Sequence, residues 1–250
     1  MALLSACASP TLTPRPTPAL VRVAVTDITE PLLLDLAAAY ARVNPDVVVA
    51  PSLAPQSALA AQLVAAQADL AFTIAPDPTL FATPIGYVPF EFVVRPGNPL
   101  KSISLPQAQG LFAGRPADWG QVGGAAGSVQ VVTRGPGTGA AAALAATAFG
   151  PITVTASALV APTWAAMRQL VAANPGAVGY LIAPELDGTV KPLALQDAQG
   201  APLALRLLAV AEAASEPSGA ARNFLAWAQG PVGQAAVGMR NEKLAVGSGK

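Results

Sequence analysis

Thr133-Arg134-Gly135-Pro136-Gly137-Thr138-Gly139 lies between an apolar, β-branched run, Val129 to Thr133, and an Ala/Leu-rich run, Ala140 to Phe149. That order reads as a strand, a glycine turn and the start of a helix. The first amides of a helix have no intrahelical partner and carry partial positive charge, and Arg134 adds a planar donor fork, so the stretch is predicted to receive an anion. Thr138 contributes a hydroxyl. A nucleotide-binding P-loop would need Lys and then Ser or Thr directly after its last glycine. Ala140 and Ala141 stand there, which removes that reading. The plainer alternative is an ordinary strand-to-helix turn, with glycines supplying positive φ and Thr138 or Gly139 capping the helix.

The composition narrows what such a site can do. The chain has 250 residues, 53% of them hydrophobic and only 11% charged, which suits one large or two small packed α/β domains. Lys plus Arg and Asp plus Glu number 14 each, so no basic footprint for nucleic acid or a membrane surface is present and ligand charge has to be met locally. There is no His, and the single Cys is Cys7. His-dependent triads, Cys/His zinc sites and the usual neutral-pH general base are thereby excluded, no carboxylate spacing singles out a catalytic pair, and no cofactor is implied. Most enzyme readings weaken on these grounds, with a carboxylate pair or a Ser-Lys arrangement surviving in principle, and no enzyme is expected. The uncharged stretches Val47 to Ala68 and Gly135 to Met167 are broken by Pro or Gly, and neither supplies about 20 consecutive apolar residues for a membrane span.

Outward from the glycine turn, the N-terminal half alternates strand and helix. Val21 to Val25 reads as a strand, Pro31 to about Val43 as a helix with Thr29 or Glu30 capping, Val47 to Ala50 as a strand, the segment carrying Leu59, Leu63 and Val64 as a helix, and Asp69 to Ile74 as a third strand. This β-α-β-α-β order predicts an open parallel sheet, whose ligands gather at the carboxyl ends of strands. Thr26, Asp27, Ser57 and Thr73 fall there. Ile85 to Arg95 reads as a long extended run, after which the pattern restarts with a helix at Gln107 to Phe112. Beyond the glycine turn we expect a strand near Ile152 to Thr155, a helix from Thr163 to Ala173, strands near Val190 to Leu195 and Ala204 to Val210, and helices from Gly219 to Ala228 and Pro231 to Val237. Trp119, Trp164 and Trp227 are expected in the core, and Tyr180 in the core with its hydroxyl reaching the cleft or hinge.

The N-terminus is of a different kind. Leu4-Ser5-Ala6-Cys7 resembles a bacterial lipobox, in which the Cys is lipidated, although a basic n-region and a full apolar stretch are missing. Pro10 to Ala19 alternates Pro and Thr as an extended tether would. Residues 1–19 are accordingly expected to anchor a folded domain to a membrane surface.

Four stretches, the glycine turn among them, carry a family resemblance. Asn98-Pro-Leu-Lys-Ser-Ile-Ser-Leu105 with Leu111-Phe-Ala-Gly114 and Trp119, then Arg134-Gly-Pro-Gly-Thr-Gly139, Asn174-Pro-Gly-Ala-Val-Gly-Tyr-Leu181 and Phe224 to Ala235 occur in an order that resembles type II periplasmic binding proteins. The resemblance is specifically to the phosphate-binding proteins of bacterial phosphate ABC importers. It implies two α/β lobes joined by two crossover strands with a ligand cleft between them: lobe 1 from residues 20–92 plus 183–250, lobe 2 from 93–182. It also implies an extracytoplasmic, monomeric protein that captures an inorganic oxyanion, most simply phosphate, and passes it to ABC permease subunits. Arg134, Gly137, Thr138 and Gly139 would be the ligands from the second lobe. Thr26, Asp27, Gln56, Ser57 and Thr73 would stand on the first.

The departures fall at the ligand positions. The family's second anion-loop Thr is Ala140 here, and the Asp that in the family accepts a proton-bearing phosphate is Ile74. An acceptor-only carboxylate selects a protonated ligand, so its loss relaxes or changes that selection unless Asp27 or Asp77 takes its place. These departures leave open a second expectation, a binding-protein-like sensor or assembly module with altered or lost small-ligand binding.

Overall fold

The computed structural model describes residues 17–146, 153–196, 203–212, 217–239 and 241. Cys7 and most of the tether lie outside the described residues. In chain order the elements are β1 (Ala19–Val25), α1 (Glu30–Val43), β2 (Val47–Leu53), α2 (Leu59–Val64), β3 (Leu70–Thr73), β4 (Phe81–Val94), β5 (Ser102–Ile103), α3 (Leu105–Phe112), β6 (Gln130–Arg134), α4 (Gly139–Leu144), β7 (Leu159–Ala161), α5 (Trp164–Ala173), β8 (Ala177–Ile182), β9 (Lys191–Pro192), β10 (Ala194–Leu195), β11 (Leu203–Ala211), α6 (Gly219–Gln229) and α7 (Pro231–Val237).

Eight of these strands follow one another in a single sheet, β2-β1-β3-β11-β4-β8-β6-β7, with β9 added alongside β4. The two ends of the sheet are parallel, β2-β1-β3 on one side and β8-β6-β7 on the other. The expected open parallel sheet is therefore found only at each end. The middle is antiparallel, because β11 and β4 run against their neighbours. The two ends form the two lobes of a mixed α/β fold, and the long strand β4 belongs to both: Phe90 faces Leu203 of β11 on one side and Ile182 of β8 on the other.

Proline within a central strand removes a ladder donor, yet β4 carries Pro84 and Pro89. A register shift between Leu207 and Leu208 accommodates the first. The carbonyls released at the shift are taken by side chains of the closing helices: Gln229 Nε2 donates to Pro84 O at 2.9 Å, and the buried Gln234 Nε2 donates to Ile85 O at 3.0 Å. Pro51 is tolerated for a simpler reason, since β2 is an edge strand. The strand accordingly continues past the expected end at Ala50 to Leu53.

One apolar core runs through both lobes. On the first, Tyr40 of α1 meets Phe224 and Trp227 of α6 edge-on, with ring centroids 5.2 and 5.0 Å away. On the second, Tyr180 stacks on Phe90 at 5.1 Å and tilts against Phe112 at 5.8 Å. Gly179 lets α5 lie directly on β8, for a Cβ there would come within 2.8 Å of Met167 Sδ and Val171 Cγ2. A smaller cluster packs Leu59 and Leu63 of α2 on Ala24, Ala71 and Val210.

Two local expectations are corrected. The strand near Ile152 to Thr155 is absent at residues 153–155. Thr155 builds a turn, its hydroxyl near Ser157 Oγ and its carbonyl accepting from Ala158 N, and Leu159–Ala161 takes the place beside β6 instead. Thr29 sits at the cap position of α1 without capping it. Its hydroxyl accepts the Thr26 N–H at 3.0 Å and donates to Phe72 O at 2.9 Å, tying the β1–α1 loop to β3.

Arg22 and Asp69 fix β1 to the entry of β3. Arg22 Nη2 lies 2.6 Å from Asp69 Oδ1, and the Arg22 N–H donates to Asp69 Oδ2 at 2.7 Å. The hydrogen bond from Arg22 holds the Asp69 carboxyl below its usual range. A carboxyl with a depressed folded-state pKa adds stability above its unfolded value, and that increment disappears as pH falls through the folded value. Asp69→Asn is therefore expected to lower the melting temperature at pH 7 and to differ less from the parent below about pH 3. Thermal melts across pH 2–7 check this, and a pH-independent difference would contradict it.

Candidate functional site

The site is assembled at the carboxyl ends of β1 and β6, where the two lobes face each other. Arg134 ends β6 and is 6% exposed. Its backbone is held by Tyr180, whose hydroxyl accepts the Arg134 N–H at 3.0 Å and lies 3.2 Å from Thr133 Oγ1. Burial is the main reason the Tyr180 phenol is pushed up, so the group stays protonated. The Arg134 side chain lies over Trp164, with Cζ 5.1 Å from the ring centroid, and donates from Nη1 to Ala161 O at 2.9 Å. Its remaining edge faces the opposite lobe.

That edge is occupied by Asp27. Arg134 Nη2 and Nε lie 2.7 and 3.3 Å from Asp27 Oδ2, while the Ala140 N–H of α4 donates to Asp27 Oδ1 at 3.1 Å. Trp164 Nε1 donates to the Asp27 carbonyl at 3.1 Å, and Gln56 N donates to Gly137 O at 3.0 Å. Carboxylate, carbonyl and one further amide thus bridge the lobes. Close approach here depends on Gly139. A Cβ at that position would fall 2.4 Å from Thr26 Oγ1, 2.6 Å from Thr26 Cβ and 2.9 Å from Asp27 Oδ1.

The other candidate residues divide. Thr26, Asp27, Arg134, Gly137 and Gly139 come together at the lobe boundary. Thr138 lies beside them with its hydroxyl spent locally, accepting the Ala141 N–H at 3.1 Å and donating to Gly135 O at 2.8 Å. Thr73 is buried and bonded to Gln56, with Oγ1 2.9 Å from Nε2. Ser57 is exposed in the one-turn helix Gln56–Ala58. Ile74 packs against the core. Asp77 accepts from Thr79 N and Oγ1 within its own exposed turn, so of the two acids considered as replacements for the missing family carboxylate, Asp27 alone meets the second lobe. Trp164 was expected only as packing. Its apolar helical spacing carries no sign that its indole N–H and ring face both serve the Arg134–Asp27 pair.

A family model described as a PBP superfamily domain matches residues 12–217. This chain belongs to the periplasmic-binding-protein superfamily. Among solved structures, an ABC-type phosphate transport receptor from Vibrio cholerae is 20% identical, with a TM-score of 0.78 over 90% of this chain and 99% of that one. A putative phosphate ABC transporter substrate-binding protein from Clostridium perfringens, with bound phosphate, is 19% identical with a TM-score of 0.79 over the same shares. A Synechocystis CcmR regulatory domain in complex with 2-PG is 15% identical with a TM-score of 0.63, over 84% of this chain and 95% of that one. At these identities the likeness establishes the fold. No curated protein matches the chain. Among the described residues no helix is long and apolar enough to cross a membrane.

Gly139→Ala is expected to force Thr26 and Asp27 away from α4, costing roughly 1–3 kcal/mol of stability as overpacking does. Small-angle X-ray scattering should report a larger radius of gyration for this variant in the absence of ligand. Unchanged scattering and melting would contradict the close approach.

Proposed function

We propose that this periplasmic-binding protein captures an inorganic oxyanion, with phosphate as the leading ligand, outside the cytoplasm and delivers it to ABC permease subunits. The supporting observation is the cradle formed by the Arg134 fork and the Ala140 amide, which already grips a carboxylate between the lobes. A donor set that holds one oxyanion group in a largely water-excluded place has the chemistry to hold another. No step of bond making is required: capture is lobe closure, driven by higher affinity for the closed state. We take the first lobe as residues 20–92 plus 183–250 and the second as 93–182. We assign Arg134, Gly137 and Gly139 with Thr138 to the second wall of the cleft, and Thr26, Asp27, Ser57 and Thr73 to the first. We further propose a monomer held at the membrane by a lipid on Cys7. The names of the phosphate receptors above lend weight to the same ligand class.

Two observations favour a second reading, in which the fold serves as a sensor or assembly module with altered or lost small-ligand binding. Asp27 fills the anion position, and a regulatory domain shares the architecture.

Titration calorimetry with phosphate, sulfate, molybdate and tungstate separates the two. Oxyanion capture predicts saturable binding of at least one, and a loss of roughly tenfold or more in Arg134→Ala, because a charge-assisted hydrogen-bond pair is removed. Absence of heat with all four anions, or undiminished binding in Arg134→Ala, would overturn the capture reading at this site.

A further inference from the structure

The Nε–Nη2 edge of the Arg134 guanidinium, which faces the opposite lobe, is taken by Asp27. Nη1 is committed to Ala161 O, and Nε and Nη2 both go to Asp27 Oδ2. The Ala140 amide is likewise committed, to Asp27 Oδ1. An incoming oxyanion cannot share these donors with Asp27, since two negative groups would then meet at one guanidinium edge inside a place where Asp27 is 14% and Arg134 6% exposed. The carboxylate is delivered from the loop between β1 and α1, across the lobe boundary, and that loop is held a second time through the Asp27 carbonyl and Trp164 Nε1.

We propose that Asp27 is a resident competitor that determines which anions the site admits. The inference rests on the oxyanion reading given above. A carboxylate tethered beside its partner acts at a high effective concentration, so any anion has to outbid it before the closed state can form around a ligand. Acetate and other monocarboxylates offer nothing that Asp27 does not already offer, and are refused. A tetrahedral dianion such as phosphate or sulfate brings more charge and more acceptor oxygens to the Arg134 fork and the Ala140 amide, and can displace Asp27 toward solvent. Asp27 thereby does two things with one carboxylate: it holds the ligand-free lobes together and sets a lower limit on the anion that can take its place between them. This differs from an acceptor that selects a protonated ligand, because Asp27 takes the ligand's donors and offers the ligand none of its own.

The experiment compares the wild-type chain with Asp27→Asn and Asp27→Ala, each first shown to fold by a cooperative melt, using phosphate, sulfate and acetate as probes. Asp27→Asn and Asp27→Ala are expected to bind phosphate or sulfate at least about tenfold more tightly than the wild type, as removal of a competing bound state requires. Acetate is expected to raise the melting temperature of Asp27→Ala, where it refills the vacated position, and to leave the wild type unchanged. Should Asp27→Ala fold poorly, phosphate and sulfate binding by Asp27→Asn still decides; should Asp27→Asn fold poorly, the acetate-dependent melt of Asp27→Ala does. Unchanged or weaker phosphate and sulfate binding in the variants, with no response of Asp27→Ala to acetate, would overturn the proposal. Binding of phosphate by the wild type that is weakened in both variants would also overturn it while leaving oxyanion capture standing. A response of Asp27→Ala to acetate in a chain that binds none of the inorganic anions in any form would support Asp27 as the occupant of the anion position and remove the capture reading instead.

Discussion

The ion pair between Asp27 and Arg134 is the interaction on which the relation of the two lobes depends. Its members come from chain segments 107 residues apart, and both are largely removed from water. Breaking such a pair by deleting one member leaves the other charge buried and uncompensated, a loss of about 3–5 kcal/mol in comparable cases. The surroundings serve the pair at both ends. Tyr180 and Ala161 fix the backbone and the Nη1 edge of Arg134, while the Trp164 ring supports the guanidinium face. On the other side Thr29 holds the loop that presents Asp27. Each of these polar contacts is buried or partly buried, so each carries more weight than its counterpart on the surface would.

The sheet gives this pair something to bridge. Strand β4 runs without interruption from one lobe into the other, so the lobes are joined along one edge by backbone pairing and meet at the far side through Asp27, Gln56, Gly137 and Trp164. A joint on one side and a polar contact on the other is a layout in which opening breaks that polar contact while the shared strand stays paired. The register shift opposite Pro84, satisfied by Gln229 and Gln234, keeps the shared strand paired despite a residue that would otherwise break it. Periplasmic-binding-protein architecture is thereby reached with a central strand that propensity alone would disfavour.

Much of this was legible in the sequence, for physical reasons that differ by element. The helices at Glu30, Trp164, Gly219 and Pro231 were readable because their apolar spacing and Pro positions are local signals. The turn at Arg134 to Gly139 was readable because strand, glycines and helix stand in order. The antiparallel centre of the sheet was not, since pairing between β4 and β11 joins segments over a hundred residues apart and leaves no local trace. Strand β7 was misplaced because Ile152 to Thr155 has the better β-branched run, whereas the position beside β6 goes to Leu159–Ala161. At the site, the residue types were legible and the pairing between them was not. Asp27 and Arg134 are both expected at a ligand, and the structure bonds them to each other. Only the three-dimensional approach permitted by Gly139 brings them within 2.7 Å.

A double-mutant cycle on unfolding free energy, with Asp27→Asn, Arg134→Gln and the double variant in the absence of any anion, tests this pairing most directly. The account predicts strong coupling, about 1.5 kcal/mol or more, because the second substitution removes a charge that the first has already left unpaired. Additive effects within about 0.5 kcal/mol would contradict it and would mean that Arg134 stands ready for an external anion without a resident partner.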